Sequence, residues 1–161
     1  MSPEPYPPLK FDEFSNIVDG KPVHTTRTRH AVNPSTLAAN PEVPASTQRD
    51  VDEAVIAARE AFDAWSQTPI GERRQAILDL SESLEELKDD FARLLTLEQG
   101  KPLVAARSEV DAAIHWLRTQ AKLEFPTEAV EDSEHQRIST VYSPLGVAVA
   151  IVPWNCMNHY P

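Results

Sequence analysis

Between residues 47 and 125 apolar side chains recur every three or four positions. After residue 137 they recur every two, and from Leu145 the run is continuous. Val51, Ala54, Val55, Ala58, Ala61, Phe62 and Trp65 predict a first helix. Thr47 is suited to cap it, with Asp50 three positions on. Gln67 to Ile70 interrupt the period, and Pro69 fits a first helical turn. Ile77, Leu80, Leu84, Leu87, Phe91 and Leu94 then predict one second helix, closed at Gly100 and Pro102. The leucine stripe is short and flanked by other helical stretches, so it reads as a buried face rather than a coiled-coil seam. A third helix is expected from about Leu103 to Phe125, with Ala106, Val110, Ala113, Ile114, Leu117 and Ala121 inward. His115 and Trp116 lie at the edge of that stripe and read as surface packing.

The flanks follow other periods. Asp19-Gly20 sits between two short β-leaning runs and predicts a hairpin. Asn33-Pro34 and Asn40-Pro41 mark turns. "FPTEAVEDSEHQ" reads as an acidic connector. Ile138, Thr140 and Tyr142 then alternate with Arg137, Ser139 and Val141, as on an amphipathic strand. Beyond Pro144, "GVAVAIV" is apolar on both faces, as expected of a strand covered on both sides in a parallel sheet. A hairpin, three helices, an amphipathic strand and a buried strand predict the beginning of an α/β domain.

Composition narrows the function classes. The chain has 161 residues, 41% hydrophobic and 25% charged, which are globular proportions. A formal net charge of −10 argues against nucleic acid and anionic membrane partners. A single cysteine excludes an internal disulfide, and the first residues lack the basic and apolar regions of a signal peptide. No apolar run reaches the roughly 20 residues of a membrane helix. A cytoplasmic protein is the expectation. The four glycines are far apart, so no clustered phosphate loop is present.

"SPLGVAVAIVPWN", Ser143 to Asn155, resembles the Pro-Leu-Gly-Val-x-x-x-Ile-x-Pro-Trp-Asn segment of the aldehyde dehydrogenase superfamily. "LLTLEQGKPL", Leu94 to Leu103, resembles that family's Leu-Glu-x-Gly-Lys-Pro stretch, with a leaning towards the semialdehyde-oxidising branch such as succinate-semialdehyde dehydrogenases. "VDEAVIAAREAFDAW" and "RRQAILDLSESLEEL" match its first helices, and "DGK" followed by "NPSTL" its opening strands. The resemblance spans about residues 15 to 155 and implies oxidation of an aldehyde to a carboxylic acid with NAD or NADP. It implies an α/β fold of aldehyde dehydrogenase type, limited to its N-terminal part. Residues 1–14 would be a flexible proline-rich arm, 15–135 the hairpin and helical part of the cofactor domain, 136–143 an oligomerisation-type strand, and 144–161 the first strand of an incomplete Rossmann-like sheet with its tail. Asn155 takes the position of the family's oxyanion amide, a neutral donor that stabilises a developing alkoxide without quenching a thiolate. Val152, Pro153 and Trp154 match residues whose backbone runs beside the cofactor, at a strand end where ligands bind in open α/β sheets.

Cys156, with His159 three residues on, invites a reading as a Cys/His nucleophile of a small hydrolase. In the family the nucleophilic cysteine and the general base lie well downstream of Pro-Trp-Asn, so neither Cys156 nor Glu98 takes those roles. Two ligands do not close a zinc site, and no metal is expected. "CMNHYP" does not resemble the apolar helix that should follow Asn155. The expectation is a chain cut short before its nucleophile and base, inactive alone, with the apolar run left partly exposed. The alternative is a non-catalytic interaction module, a homo- or hetero-oligomer partner that uses Gln136–Tyr142 to join a full-length relative.

Overall fold

The computed structural model describes residues 9–126 and 128–152. The chain opens with a hairpin, β1 (Asn16–Val18) antiparallel to β2 (Lys21–Val23). Asp19 (φ 51°) and Gly20 (φ 68°) form its two-residue turn, the left-handed pair that matches the twist of a tight hairpin. A second ribbon pairs β3 (Thr28–Arg29) with β4 (Val43–Pro44), and the loop between them turns at Asn33, whose Oδ1 accepts from the Ser35 N–H at 2.9 Å.

Helix α1 (Gln48–Trp65) begins where the sequence places it. Thr47 is the N-cap, and its backbone N–H donates to Asp50 Oδ2 at 2.6 Å in a reciprocal capping box. Helix α2 (Ile70–Glu86) follows Pro69, which stands at the N-cap rather than inside the first turn. The single helix expected over the leucine stripe is two: α2 stops at Leu87 (φ −97°, ψ 9°), and α3 (Lys88–Gln99) restarts at once. Asp89 and Asp90 occupy the first turn of α3, where carboxylates favour a helix start. The interruption re-phases the stripe, so Ala92 and Leu95 are buried while Leu80 stays 57% exposed. Gly100 (φ 72°) closes α3 in the left-handed conformation. Helix α4 (Leu103–Gln120) is shorter than expected by a turn.

The core lies where α3 and α4 meet. Ala92, Leu95, Ala106, Val110 and Ile114 are buried, with Leu84, Phe91 and Leu103 packed on them. Ser81 is fully buried in α2, and its hydroxyl donates to the Leu78 carbonyl at 2.7 Å, so the polar group has a partner. Arg107–Asp89 (2.9 Å), Lys88–Asp111 (2.5 Å) and Arg118–Glu85 bridge the helices at exposed positions, where each ion pair adds little. Phe11 packs at 5.9 Å between ring centres on Phe91, and the Leu9 N–H donates to Asp90, so residues 9–14 lie against α3. Residues 1–8 of the proline-rich arm lie outside the described residues.

The acidic connector holds a strand that the sequence pattern did not reveal. β5 (Glu128–Asp132) pairs antiparallel with β6 (Arg137–Thr140), the predicted amphipathic strand, with a bulge near Ala129–Glu131. All four residues of β6 are exposed.

Candidate functional site

The predicted site sits at the end of the apolar run. Val152 is 76% exposed, while Pro153, Trp154 and Asn155 lie outside the described residues, as do Cys156 and His159. Between 144 and 152 no strand forms, contrary to the expected buried strand. Leu145 and Ile151 are more than nine-tenths exposed. The reason is physical: a parallel-sheet strand takes its hydrogen bonds from neighbours and its burial from covering helices, and a lone strand has neither.

One part of this run does meet the rest of the chain. Val147 and Val149 line a cleft of about 360 Å³ with Ile17 of β1 and Val51, Val55 and Ala58 of α1. The Asn16 amide donates to the Ser46 hydroxyl at 2.8 Å and ties the hairpin to the start of α1 at the edge of this cleft. Helix α1 contributes no buried residue, so its apolar stripe is available along this side. The electrostatic perturbations nearby belong to the helix cap. The Thr47 N–H and hydroxyl hold the Asp50 carboxyl below its ordinary range, and Glu53 raises Arg49 through a hydrogen bond. Asp50 caps the helix start at the edge of the cleft, and Arg49 pairs with Glu53 one turn on.

Glu98 stands exposed near the end of α3, as a helix-end residue. Among the described residues no group of three His, Cys, Asp or Glu is placed to hold a metal. No helix among them is long and apolar enough to cross a membrane. Val152 is not among the residues that line the cleft beside α1 or the two spaces beside the start of α2.

A second cleft was not foreseen. It measures about 450 Å³ and lies between the start of α2 and the end of α4, walled by Trp65, Ile70, Ile77, Leu80, Leu123 and Phe125. Arg73 and Arg74 also line it. An adjacent space of about 610 Å³ shares Ile70, both arginines and Phe125 and reaches Val141 and Tyr142. In the sequence the arginine pair looks like an ordinary polar helix face, and only the return of residues 123–125 to α2 gives it apolar walls.

The chain is similar to known proteins in sequence and in fold. The aldehyde dehydrogenase family model matches residues 22–160. Aldehyde dehydrogenase LUC3 of a Fusarium species is 37% identical over 150 residues, covering 93% of this chain and 32% of that protein. A malonate-semialdehyde dehydrogenase of Listeria monocytogenes is 33% identical over 150 residues, covering 89% of this chain and 30% of its own. Betaine aldehyde dehydrogenase of Staphylococcus aureus, solved in complex with NAD+, superposes with a TM-score of 0.69 at 27% identity, over 73% of this chain and 25% of that one. A variant of the Bacillus cereus aldehyde dehydrogenase superposes with a TM-score of 0.71, over 75% of this chain and 26% of that one. The chain thus spans about a third of the length of the curated relatives it matches.

Proposed function

Because the chain belongs to the aldehyde dehydrogenase family, we propose that it supplies the N-terminal part of an NAD(P)-dependent enzyme that oxidises an aldehyde to a carboxylic acid, and that its 161 residues alone do not turn over. The family match over 22–160 carries this reading. The stretch Leu94–Leu103 points to a semialdehyde as the substrate class.

In this proposal the role of the chain's own residues is limited and specific. The Asn155 side-chain amide donates to the oxygen on which negative charge develops as a thiolate attacks the carbonyl. A neutral NH₂ does this without protonating the nucleophile, and loss of such a donor costs roughly 10²–10³ in rate. The backbone of Val152, Pro153 and Trp154 would help hold the nicotinamide dinucleotide, which would supply the hydride acceptor when bound. Cys156 is not the nucleophile. The sulfur and the carboxylate base come from polypeptide C-terminal to the Pro-Trp-Asn segment.

Aldehyde-dependent NAD(P)H formation by the purified 161-residue chain, alone and as Cys156→Ser, tests this reading. No turnover by either is expected. Turnover that disappears in Cys156→Ser would place the nucleophile at the excluded position and overturn it.

A second reading rests on the β5–β6 hairpin. Val130, Ile138, Val141 and Tyr142 are each 47% or more exposed, and β6 leaves its outer edge free among the described residues. Such an edge is a template for strand addition. The chain then co-assembles with a full-length relative through Gln136–Tyr142. Co-purification with that relative is expected, and its loss in Ile138→Lys would tie the assembly to this strand.

A further inference from the structure

We propose that the cleft between the start of α2 and the end of α4 binds an amphipathic monocarboxylate, a small molecule with an apolar body and one carboxylate, through Arg73 and Arg74. The proposal is independent of the activity argued above. It begins from a contrast in charge pairing. Arg49, Lys88, Arg93, Arg107 and Arg118 on the helices each meet a carboxylate. Arg73 and Arg74, like Arg59 of α1, form no ion pair among the described residues, although Glu124 lines the adjacent space beside them, in a chain whose acidic side chains outnumber its lysines and arginines by ten. Arg74 donates through Nη2 to the Leu123 carbonyl. The Nε atoms of both arginines are shut off from solvent and lack an acceptor.

Both arginines are half-buried and line the cleft without an anion, and a carboxylate is the acceptor whose geometry fits the guanidinium fork. The walls specify the remainder of the ligand. Trp65, Leu80 and Phe125 are each more than half exposed along the cleft, a contiguous apolar surface that a hydrocarbon or aromatic body would cover. About 450 Å³ is within the ordinary range for small-molecule sites. A polyanion is disfavoured by the acidic surface and the apolar walls. A neutral hydrocarbon would leave the guanidinium groups unmatched. A carboxylate with an apolar chain satisfies both halves.

Octanoate is the probe. Isothermal titration calorimetry of the 161-residue chain, with tryptophan fluorescence as a second readout, is expected to show saturable binding. Octanol, which has the body without the charge, and acetate, which has the charge without the body, should each bind at least tenfold more weakly. Arg73→Gln combined with Arg74→Gln should weaken octanoate at least tenfold, with far-UV circular dichroism reporting whether the helices persist. Should that variant fail to fold, Phe125→Ala at the exposed rim should weaken octanoate several-fold. Absence of saturable binding, equal binding of octanol and octanoate, or indifference of the affinity to the variants that fold would overturn the proposal.

Discussion

Ile114 and Ile151 are the same side chain in opposite surroundings. Ile114, on α4, is 4% exposed among Ala92, Leu95 and Val110, whereas Ile151, in a run at least as apolar, is 95% exposed. The difference lies in where each element finds its hydrogen bonds. A helix closes its backbone bonds internally, so α2, α3 and α4 need only each other to bury a stripe. A strand of the parallel type closes them on neighbours from other parts of the chain, and over 145–152 no ladder forms. Apolar composition therefore predicts burial only when the partner surface lies within the same stretch of polypeptide.

Several substitutions probe this contrast, beginning with the largest expected effect. Leu95→Ala should lower stability to urea by about 3 kcal/mol, the usual cost of a cavity at a fully buried leucine. Ile151→Ala should change it by less than about 0.5 kcal/mol, as at an exposed position. Equal losses in the two variants would abolish the distinction. Gly100→Ala comes next. Its φ of 72° costs an L-residue about 1–2 kcal/mol, and the new Cβ would stand 2.6 Å from Pro34 Cγ, so the loss should exceed that of Gly20→Ala, where the same φ region opens on empty space. Thermal midpoints of the pair separate backbone strain from collision.

Thr47→Ala should cost about 1 kcal/mol by removing the hydroxyl cap of α1. The same cap has a pH signature. The Asp50 carboxyl is held below its ordinary value by the Thr47 backbone and side chain. Its contribution is therefore complete above the unfolded carboxyl pKa of about 3.9 and fades as pH falls towards the lower folded value. The stability advantage of the natural chain over Asp50→Asn, measured by urea titration, should shrink between about pH 6 and about pH 3. An advantage that grows on acidification would contradict the capping geometry. The smallest effect on stability is expected from Val149→Ser with Ile151→Ser: no change in midpoint, but less binding of a hydrophobic dye and slower aggregation, because the exposed run is the sticky surface.

Much of the local structure was legible in the residues. The Asp19-Gly20 turn, the Thr47–Asp50 box and the Gly100 cap formed as read, because each is decided by neighbours within a few positions, whereas the strand read around Ile138 forms over 137–140 with all four residues exposed rather than with one covered face. The interruption at Leu87 was not read, since the stripe runs through it and only the re-phased packing of Ala92 and Leu95 on α4 reveals it. Strand β5 was hidden by its acidic composition, which outweighs its weak alternation until β6 pairs with it. Of the site, the sequence named Val152 to Asn155 through a family segment, whereas the arginine cleft was invisible because its walls come from residues some fifty positions apart, Arg74 and Leu123.

By itself, then, the order of residues determined the helices, caps and turns and the family to which the chain belongs, because short-range hydrogen bonds and a long run of matching positions suffice for those. Tertiary structure alone decided which apolar faces are covered. Burial is a property of two surfaces that meet: α4 covers the stripe of α3, whereas among the described residues 145–152 meet only the edge of β1 and α1 through Val147 and Val149, and Leu145 and Ile151 stay exposed.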